Sequence, residues 1–377
     1  MSQVAGAGSG SAEIPDVRKA PPLVFPPSTE FQAELRRRVE AYFKTTGKRS
    51  RDLPTMYLKT AFILAWYGVS YYLLVFHQNT WLESVLLATS LGLAMAGIGF
   101  NVAHDACHGA FSKRPFVNEL FSVTLDMLGG SSYVWKWKHN FFHHTFTNVV
   151  GADDDIDFGF VARLAPEGPL RGLYKYQHLY LWLLYGSLTF SWQYYDFTRL
   201  IGGRVGPQRI PHPKGWALAI VIFGKALYVS LMFVIPFMFL SPGRVLVNFV
   251  VASFTMSWTL ALVFQLAHCV EEAEFPKPKA GSDRLEHEFA VHQIETTADF
   301  ARKNPLVTWY LGGLNYQVEH HLFPKICHLH YPALSPIIEK TCAQYGIRYS
   351  AHRRLRDAII SHYHFLRRSH SHGAIAA

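Results

Sequence analysis

Residues 56–108 read MYLKTAFILAWYGVSYYLLVFHQNTWLESVLLATSLGLAMAGIGFNVAHDACH. Two apolar runs, Met56–Phe76 and Trp81–Phe100, are separated only by His77–Thr80. Each is about 20 residues long, enough to cross a bilayer at about 1.5 Å per residue. So short a link predicts a helical hairpin whose two free ends lie on one side of the membrane. Just beyond the second run, His104 and His108 stand four positions apart, which places both rings on one helix face.

The composition agrees with a membrane plan. Half of the 377 residues are apolar, and 28 Phe, 19 Tyr and 9 Trp are heavy for a water-soluble enzyme. A mean hydropathy of +0.08 leaves room for substantial extramembrane parts. The net charge of +9 does not indicate a nucleic-acid partner. Its basic residues gather in Arg36–Lys59 and Arg353–Arg368, on either side of the apolar middle, where anionic headgroups would meet them. Cys107, Cys269, Cys327 and Cys342 show no paired metal spacing and no disulfide framework, and read as small packing residues. Met1–Pro27, rich in Gly, Ser and Pro, reads as a disordered or loosely attached tail without a secretory pattern.

Two further apolar runs, Gly215–Leu240 and Val245–Ala267, flank the turn Ser241–Arg244 and predict a second hairpin. The segment before the first span carries Arg36, Arg37, Arg38, Lys44, Lys48, Arg49 and Arg51, whereas the two outer turns carry only Arg244, so both termini are expected in the cytoplasm. The expected class is an all-α membrane protein of four transmembrane helices in two hairpins. Its divisions are a pre-membrane segment (1–55), the first hairpin (56–100), a cytosolic cap (101–214), the second hairpin (215–267) and a cytosolic C-terminal region (268–377). Phe116–Leu128 and Leu179–Phe197 are broken by polar residues or glycine and studded with aromatics, so both read as interfacial helices; a fifth span over Leu179–Phe197 is the competing reading. Lys225, inside the third span, reads as structurally accommodated.

Three short segments carry the chemistry: His104-Asp-Ala-Cys-His108, His139-Asn-Phe-Phe-His143-His144 and Gln317-Val-Glu-His320-His321, with His268 at the end of the fourth span. The hairpins bring all of them to one membrane face. So many imidazoles beside a bilayer would carry a large desolvation cost unless something bound them. Seven or eight nitrogen donors exceed what one tetrahedral zinc takes, which implies two metals. Imidazole suits iron, zinc and copper alike, so donor chemistry leaves the element open; two irons activating dioxygen fit such a site. Asp105, Asp153, Asp154, Asp155, Asp157, Glu271, Glu272 and Glu319 are candidates to accept a proton from ligating rings. Asp105 and Glu319 are favoured among them because they sit inside the histidine segments.

In order and spacing, these segments resemble the three histidine boxes of the membrane fatty acid desaturases, and the resemblance extends from Met56 to about Leu329. A third box opening with Gln317, within Asn315-Tyr-Gln-Val-Glu-His-His-Leu-Phe-Pro324, and the run His292-Gln-Ile-Glu-Thr-Thr-Ala-Asp299 are similar to the front-end subgroup and its bacterial linoleoyl-CoA desaturase-like relatives. The resemblance implies a di-iron centre held by His104, His108, His139, His143, His144, His268, His320 and His321, with Gln317 near or on the metal and His292 outside the ligand set. It also implies dioxygen as oxidant and a fatty acyl-CoA or membrane acyl lipid as substrate. Fused members of the subgroup carry a haem-binding His-Pro-Gly-Gly motif that is absent before the first span here, so an external donor, a ferredoxin or a free-standing cytochrome b5, is expected.

The reaction expected is removal of two hydrogens from adjacent methylenes, in a bacterial inner membrane, with an apolar tunnel fixing the bond position. Tyr133, Trp135, Trp137, Phe141, Phe142 and Trp258 are candidate lining residues, and Trp135–Lys138 is a candidate headgroup contact. A di-iron hydroxylase or ketolase of alkanes, sterols or carotenoids is the alternative. A transporter would place its ionisable residues at midplane instead, and a zinc hydrolase would carry His-Glu-x-x-His.

Overall fold

The computed structural model describes residues 23–165, 171–279 and 281–370. Among them, four helices are long and apolar enough to cross a membrane. In chain order, α1 (Glu30–Thr46) precedes the first hairpin, α2 (Pro54–Phe76) and α3 (Trp81–His108). Then come α4 (Pro115–Met127), the π-helical α5 (Lys136–His143), α6 (Gln177–Leu184) and α7 (Leu188–Gly202). The second hairpin is α8 (Trp216–Phe239) and α9 (Pro242–His268). Short helices α10 (Phe289–Glu295), α11 (Pro305–Tyr310) and α12 (Gln317–Leu322) lead to α13 (Tyr331–Gln344) and α14 (Leu355–Ser369). Two minimal sheets join loops, β1 (Arg204–Val205) antiparallel to β2 (Gln208–Arg209) and β3 (Asp299–Phe300) parallel to β4 (Ala351–His352).

Local chemistry sets these boundaries. Pro54 and Pro242 occupy the first turns of α2 and α9, where their missing N–H costs nothing. Thr80 and Glu83 cap α3 reciprocally, Thr80 accepting from the Glu83 amide and Glu83 from the Thr80 amide, so the second span starts at Trp81, directly after its Thr80 cap. The Asn79 amide closes the end of α2 on the Leu73 carbonyl at 2.8 Å, and Arg244 from the second outer turn donates to the Asn79 carbonyl at 2.7 Å. That contact ties the two hairpins at the face opposite the histidines.

The central helix is α3, with 61% of its apolar window buried against 28% for α8. It packs on α9 so closely that a Cβ at Gly92 would lie 2.5 Å from the Ala252 carbonyl oxygen and 2.7 Å from Thr255 Cβ. Its length differs from the sequence reading, which ended the second span at Phe100. The helix runs on to His108 because Gly99–Ala103 widen into a π-helical turn without breaking it. The first histidine pair therefore rides on the span itself.

Neither interfacial segment is long enough to span. The second is interrupted at Tyr185–Ser187, which separates α6 from α7, so no fifth span forms there. Lys225 turns into the bundle and pairs with Asp196 on α7 at 3.0 Å while donating to the Gly129 carbonyl at 2.8 Å. The pre-membrane segment and the C-terminal region share a core of their own, where Phe31, Leu35 and Val39 of α1 meet Ile294, Val318, Leu334 and Ile338. The loosely attached tail needs correcting over its last residues. Val24 exchanges backbone bonds with Asp283 and Leu285, and Phe25 stacks on Phe146; residues 1–22 lie outside those described. All four cysteines are buried and unpaired.

Gly68 faces outward with nothing within 4 Å of a built Cβ, whereas Gly92 has no room. Gly92→Ala is expected to cost about 1–3 kcal/mol through overpacking, while Gly68→Ala stays neutral or gains up to about 1 kcal/mol. Thermal unfolding of both variants in one detergent measures the contrast.

Candidate metal centre

The three histidine segments converge. His104, His108, His139 and His320 offer nitrogens within 4.8 Å of one another, as do His143, His268 and His321, and His144 closes a third group with His320 and His321. All eight rings are buried. The groups adjoin: between ring centroids His139 lies 4.9 Å from His143, His108 4.6 Å from His144, and His320 5.4 Å from His321. Four elements supply them: α3 for the first box, α5 with the residue after it for the second, α9 for His268 and α12 for the third.

The outer nitrogens fix which edge of each ring faces inward. His139 Nδ1 lies 3.1 Å from Asp155, His143 Nδ1 2.8 Å from Asp153, His268 Nδ1 3.2 Å from the Thr296 carbonyl and His321 Nδ1 2.8 Å from Gln293 Oε1. Each partner is an acceptor, so in these rings Nδ1 carries the proton and Nε2 is a bare donor to whatever lies inside. The Nε2 atoms of these same four rings are buried and lack any hydrogen-bond partner, as do His108 Nε2 and the Nδ1 atoms of His104 and His144. Converging bare nitrogens, four of them on rings backed by an acceptor, form the arrangement that metal-ligating histidines require, and this histidine-rich cluster suits a buried di-iron centre.

Burial acts in the same direction. It pulls His144, His320 and His321 well below the usual histidine value, with neighbouring rings adding to the effect. It takes His139 down to about 3 against the opposing bond to Asp155. His143 is the exception, since the Asp153 and Asp155 carboxylates outweigh its burial and raise it. Asp155 is pushed up by burial but held well below the usual carboxylate range by Lys138, 2.6 Å away, and by His139 and His143. Rings such as His139, His144, His320 and His321, held neutral by burial, with Asp155 kept ionised behind the second box, are ready for metal without first losing many protons.

The structure revises several expectations. Asp105 and Glu319, favoured as backing carboxylates, do not bond to any of these rings. Asp105 lies 3.8 Å from His104 Nδ1 and bonds instead to His328, and Glu319 accepts from Tyr349 at 2.7 Å. Asp153 and Asp155 take that place. Thr296, Gln293 and Tyr331, the last 3.2 Å from His320 Nδ1, were not anticipated. The first two lie in the run His292–Asp299, whose resemblance to one subgroup was their only signal. His292 stays outside the cluster, edge-on to Phe25. Gln317 is held through its own amide, which donates to the Leu314 carbonyl at 2.9 Å.

A cavity of about 500 Å³ opens beside the first group, reaching His104, His139, Gln317 and His320. Its apolar wall comes from Leu188, Trp192, Leu260 and Phe264. Of the expected lining aromatics only Trp135 contributes, and it also stacks on His139 at 4.3 Å; Tyr133, Trp137, Phe141, Phe142 and Trp258 lie elsewhere. The lysines of Trp135–Lys138 are already paired, Lys136 with Glu119 at 2.7 Å and Lys138 with Asp155.

Comparison with known proteins gives concordant results. A family profile described as fatty acid desaturase matches residues 79–353. The chain is 37% identical over 348 residues to an sn-1 linoleoyl-lipid 6-desaturase of Arthrospira platensis, covering 92% of this chain and 94% of that one. It is 38% identical over 338 residues to the protein of the same name from Synechocystis sp., with 89% and 94% covered. An acyl-lipid (8-3)-desaturase of Physcomitrium patens is 36% identical over 344 residues, with 90% and 71% covered.

The depressed values fix a pH dependence. A ring whose folded value lies below its unfolded 6.5 binds fewer protons in the fold, so its contribution to stability is lost as pH falls below 6.5. His139, His144, His320 and His321 act in this sense, and His143, raised, acts in the opposite one. The metal-free protein is therefore expected to lose thermal stability between pH 6.5 and 5, measured by unfolding in chelator; a flat profile would contradict the neutral-ring arrangement.

Proposed function

The chain belongs to the fatty acid desaturase family, and from that premise we propose that it inserts a cis double bond at position 6 of a linoleoyl group carried on a membrane lipid. It is a multi-pass membrane enzyme, an oxygen-using di-iron oxidoreductase that acts on an acyl chain. The activities named for the two cyanobacterial relatives motivate the lipid-linked substrate and the position. The observation that carries the reading is the set of partnerless buried nitrogens facing one another beside an apolar cavity.

In this reading His104, His108, His139 and His320 would hold one iron and His143, His268 and His321 the other, with His144, grouped with His320 and His321, as the eighth ligand. Gln317, at the cavity edge of the first group, orients substrate or water. The irons, when bound, supply the oxidising power to remove hydrogen from an unactivated methylene. Overall, one O2, two electrons and two protons take two hydrogens from adjacent carbons and give an alkene and two waters. The chain's own contribution is positional. Asp153, Asp155, Gln293 and the Thr296 carbonyl hold the rings, and the wall formed by Leu188, Trp192, Leu260 and Phe264 excludes water and holds the methylene pair beside the irons.

The charge bias of the segments flanking the spans supports placing both termini and the histidines in the cytoplasm, with a bacterial inner membrane as the location. The two electrons then come from a separate carrier, a ferredoxin or a free-standing cytochrome b5, and a basic cytosolic surface favours an acidic one. The division of the chain into pre-membrane segment, two hairpins, intervening cap and C-terminal region belongs to the same proposal.

Cells supplied with linoleate and a ferredoxin or cytochrome b5 system should accumulate a lipid-linked C18 triene with a new bond at position 6, localised by gas chromatography–mass spectrometry. His320→Ala should abolish it. Asp153→Asn should retain the fold but weaken iron retention roughly 10–100-fold. A hydroxylated product from the wild-type chain would replace desaturation by hydroxylation, and a new bond elsewhere would overturn the position alone.

A further inference from the structure

Lys59 lies in the first span, yet it is buried, and its ammonium nitrogen sits 2.9 Å from His328 Nε2. On the other side of that ring, His328 Nδ1 is 2.9 Å from Asp105 Oδ2, and the His328 backbone amide reaches the same oxygen at 3.3 Å. An ionised carboxylate only accepts, so His328 donates from Nδ1 and accepts at Nε2 from Lys59. The three side chains thus form one ion pair bridged by a neutral ring. Asp105, Cys327 and His328 also have the spacing of a metal site, but Lys59 already brings a cation to it.

Each member comes from a different part of the fold: α2, the first box on α3, and the loop that follows the third box. The loop is held against its surroundings. The Cys327 amide donates to the Ser50 carbonyl at 2.9 Å, and a Cβ at Gly313, whose φ is +69°, would press on His328 Cβ at 3.0 Å. Asp105 Oδ1 lies 3.8 Å from His104 Nδ1. The bridge therefore delivers a carboxylate to the edge of the first histidine group and places the compensating cation beyond it.

We propose that Lys59, His328 and Asp105 form a positioning and charge-setting bridge for the metal centre, in which Lys59 offsets the field that Asp105 exerts on the iron held by the first group. The inference rests on the di-iron reading above. An isolated anion beside a cationic centre stabilises its oxidised state, and an isolated buried cation does the reverse; low dielectric around the bridge makes both effects large. The two charges act through each other, so removing both should nearly cancel. A packing role predicts accumulated damage instead.

The test uses the full iron-loaded chain in detergent or nanodiscs, with iron content and a redox titration of the centre as readouts. Lys59→Met should lower the midpoint potential, Asp105→Asn should raise it, and the Lys59→Met/Asp105→Asn double variant should return toward wild type. Lys59→Arg, which keeps the charge, should hold the potential. His328→Leu, which cuts the bridge, should weaken iron retention roughly ten-fold. Shifts of the same sign in the two single variants, or a double variant further from wild type than either, would overturn the proposal. If a single variant binds no iron, thermal unfolding of the metal-free chains decides: the double variant must be more stable than the two separate losses added together, and strict additivity would overturn the bridge. Failure of the wild-type chain to bind iron would overturn the metal reading, while the unfolding cycle would still test the bridge.

Discussion

Eight imidazoles buried together beside a bilayer impose the constraint from which the rest of the structure follows. The rings cannot all carry charge, because burial leaves little water to solvate eight charges, and each has two nitrogens to satisfy. Acceptors on the outside solve half of the problem for the rings backed by Asp153, Asp155, Gln293 and the Thr296 carbonyl, leaving their inner nitrogens bare. The same constraint explains the rigid frame. Asn148 accepts a left-handed backbone, φ 59°, so that its amide can reach the His268 and Glu274 carbonyls, fixing the second box against the end of α9.

The spans and the histidine segments were legible because their signals are local. Hydropathy gives the span lengths, and a spacing of four on a helix gives a shared face. Which of the acidic candidates back the rings was not legible, for the same physical reason. Asp105 and Glu319 were favoured for being next to ligand-type histidines in sequence, but adjacent positions on a helix point about 100° apart. A neighbour in sequence therefore faces away from the site, and both carboxylates do: Asp105 toward His328, Glu319 toward Tyr349. Asp153 and Asp155 succeed because they come from the irregular segment after α5, which folds back over it. Such a return has no periodicity to read.

The aromatic wall was misjudged for a related reason. Phe141 and Phe142 lie in the second box and Trp137 just before it, and nearness in sequence suggested nearness to substrate. Residues on α5 that do not face inward pack outward instead: Phe142 with Val134, Val205 and Ile210 in a small core of their own. The cavity is walled by α7 and α9, through Leu188, Trp192, Leu260 and Phe264, segments with no motif that hydropathy alone would assign to substrate rather than to lipid.

The two lysines inside spans follow one rule that joins membrane to cap. Lys225 on α8 meets Asp196 on α7, and Lys59 on α2 meets Asp105 on α3 through His328. Buried ion pairs add little net stability, because desolvation consumes most of the attraction, but an unpaired partner is strongly disfavoured. Their effect is therefore on register. A slip of either span by one turn, about 5.4 Å, would strand a charge in an apolar medium, whereas the surrounding leucines and phenylalanines would tolerate the slip with modest repacking. Hydrophobic burial makes the bundle cohere, and the two pairs select the one alignment in which the end of α3, the end of α9 and α12 meet around the same point.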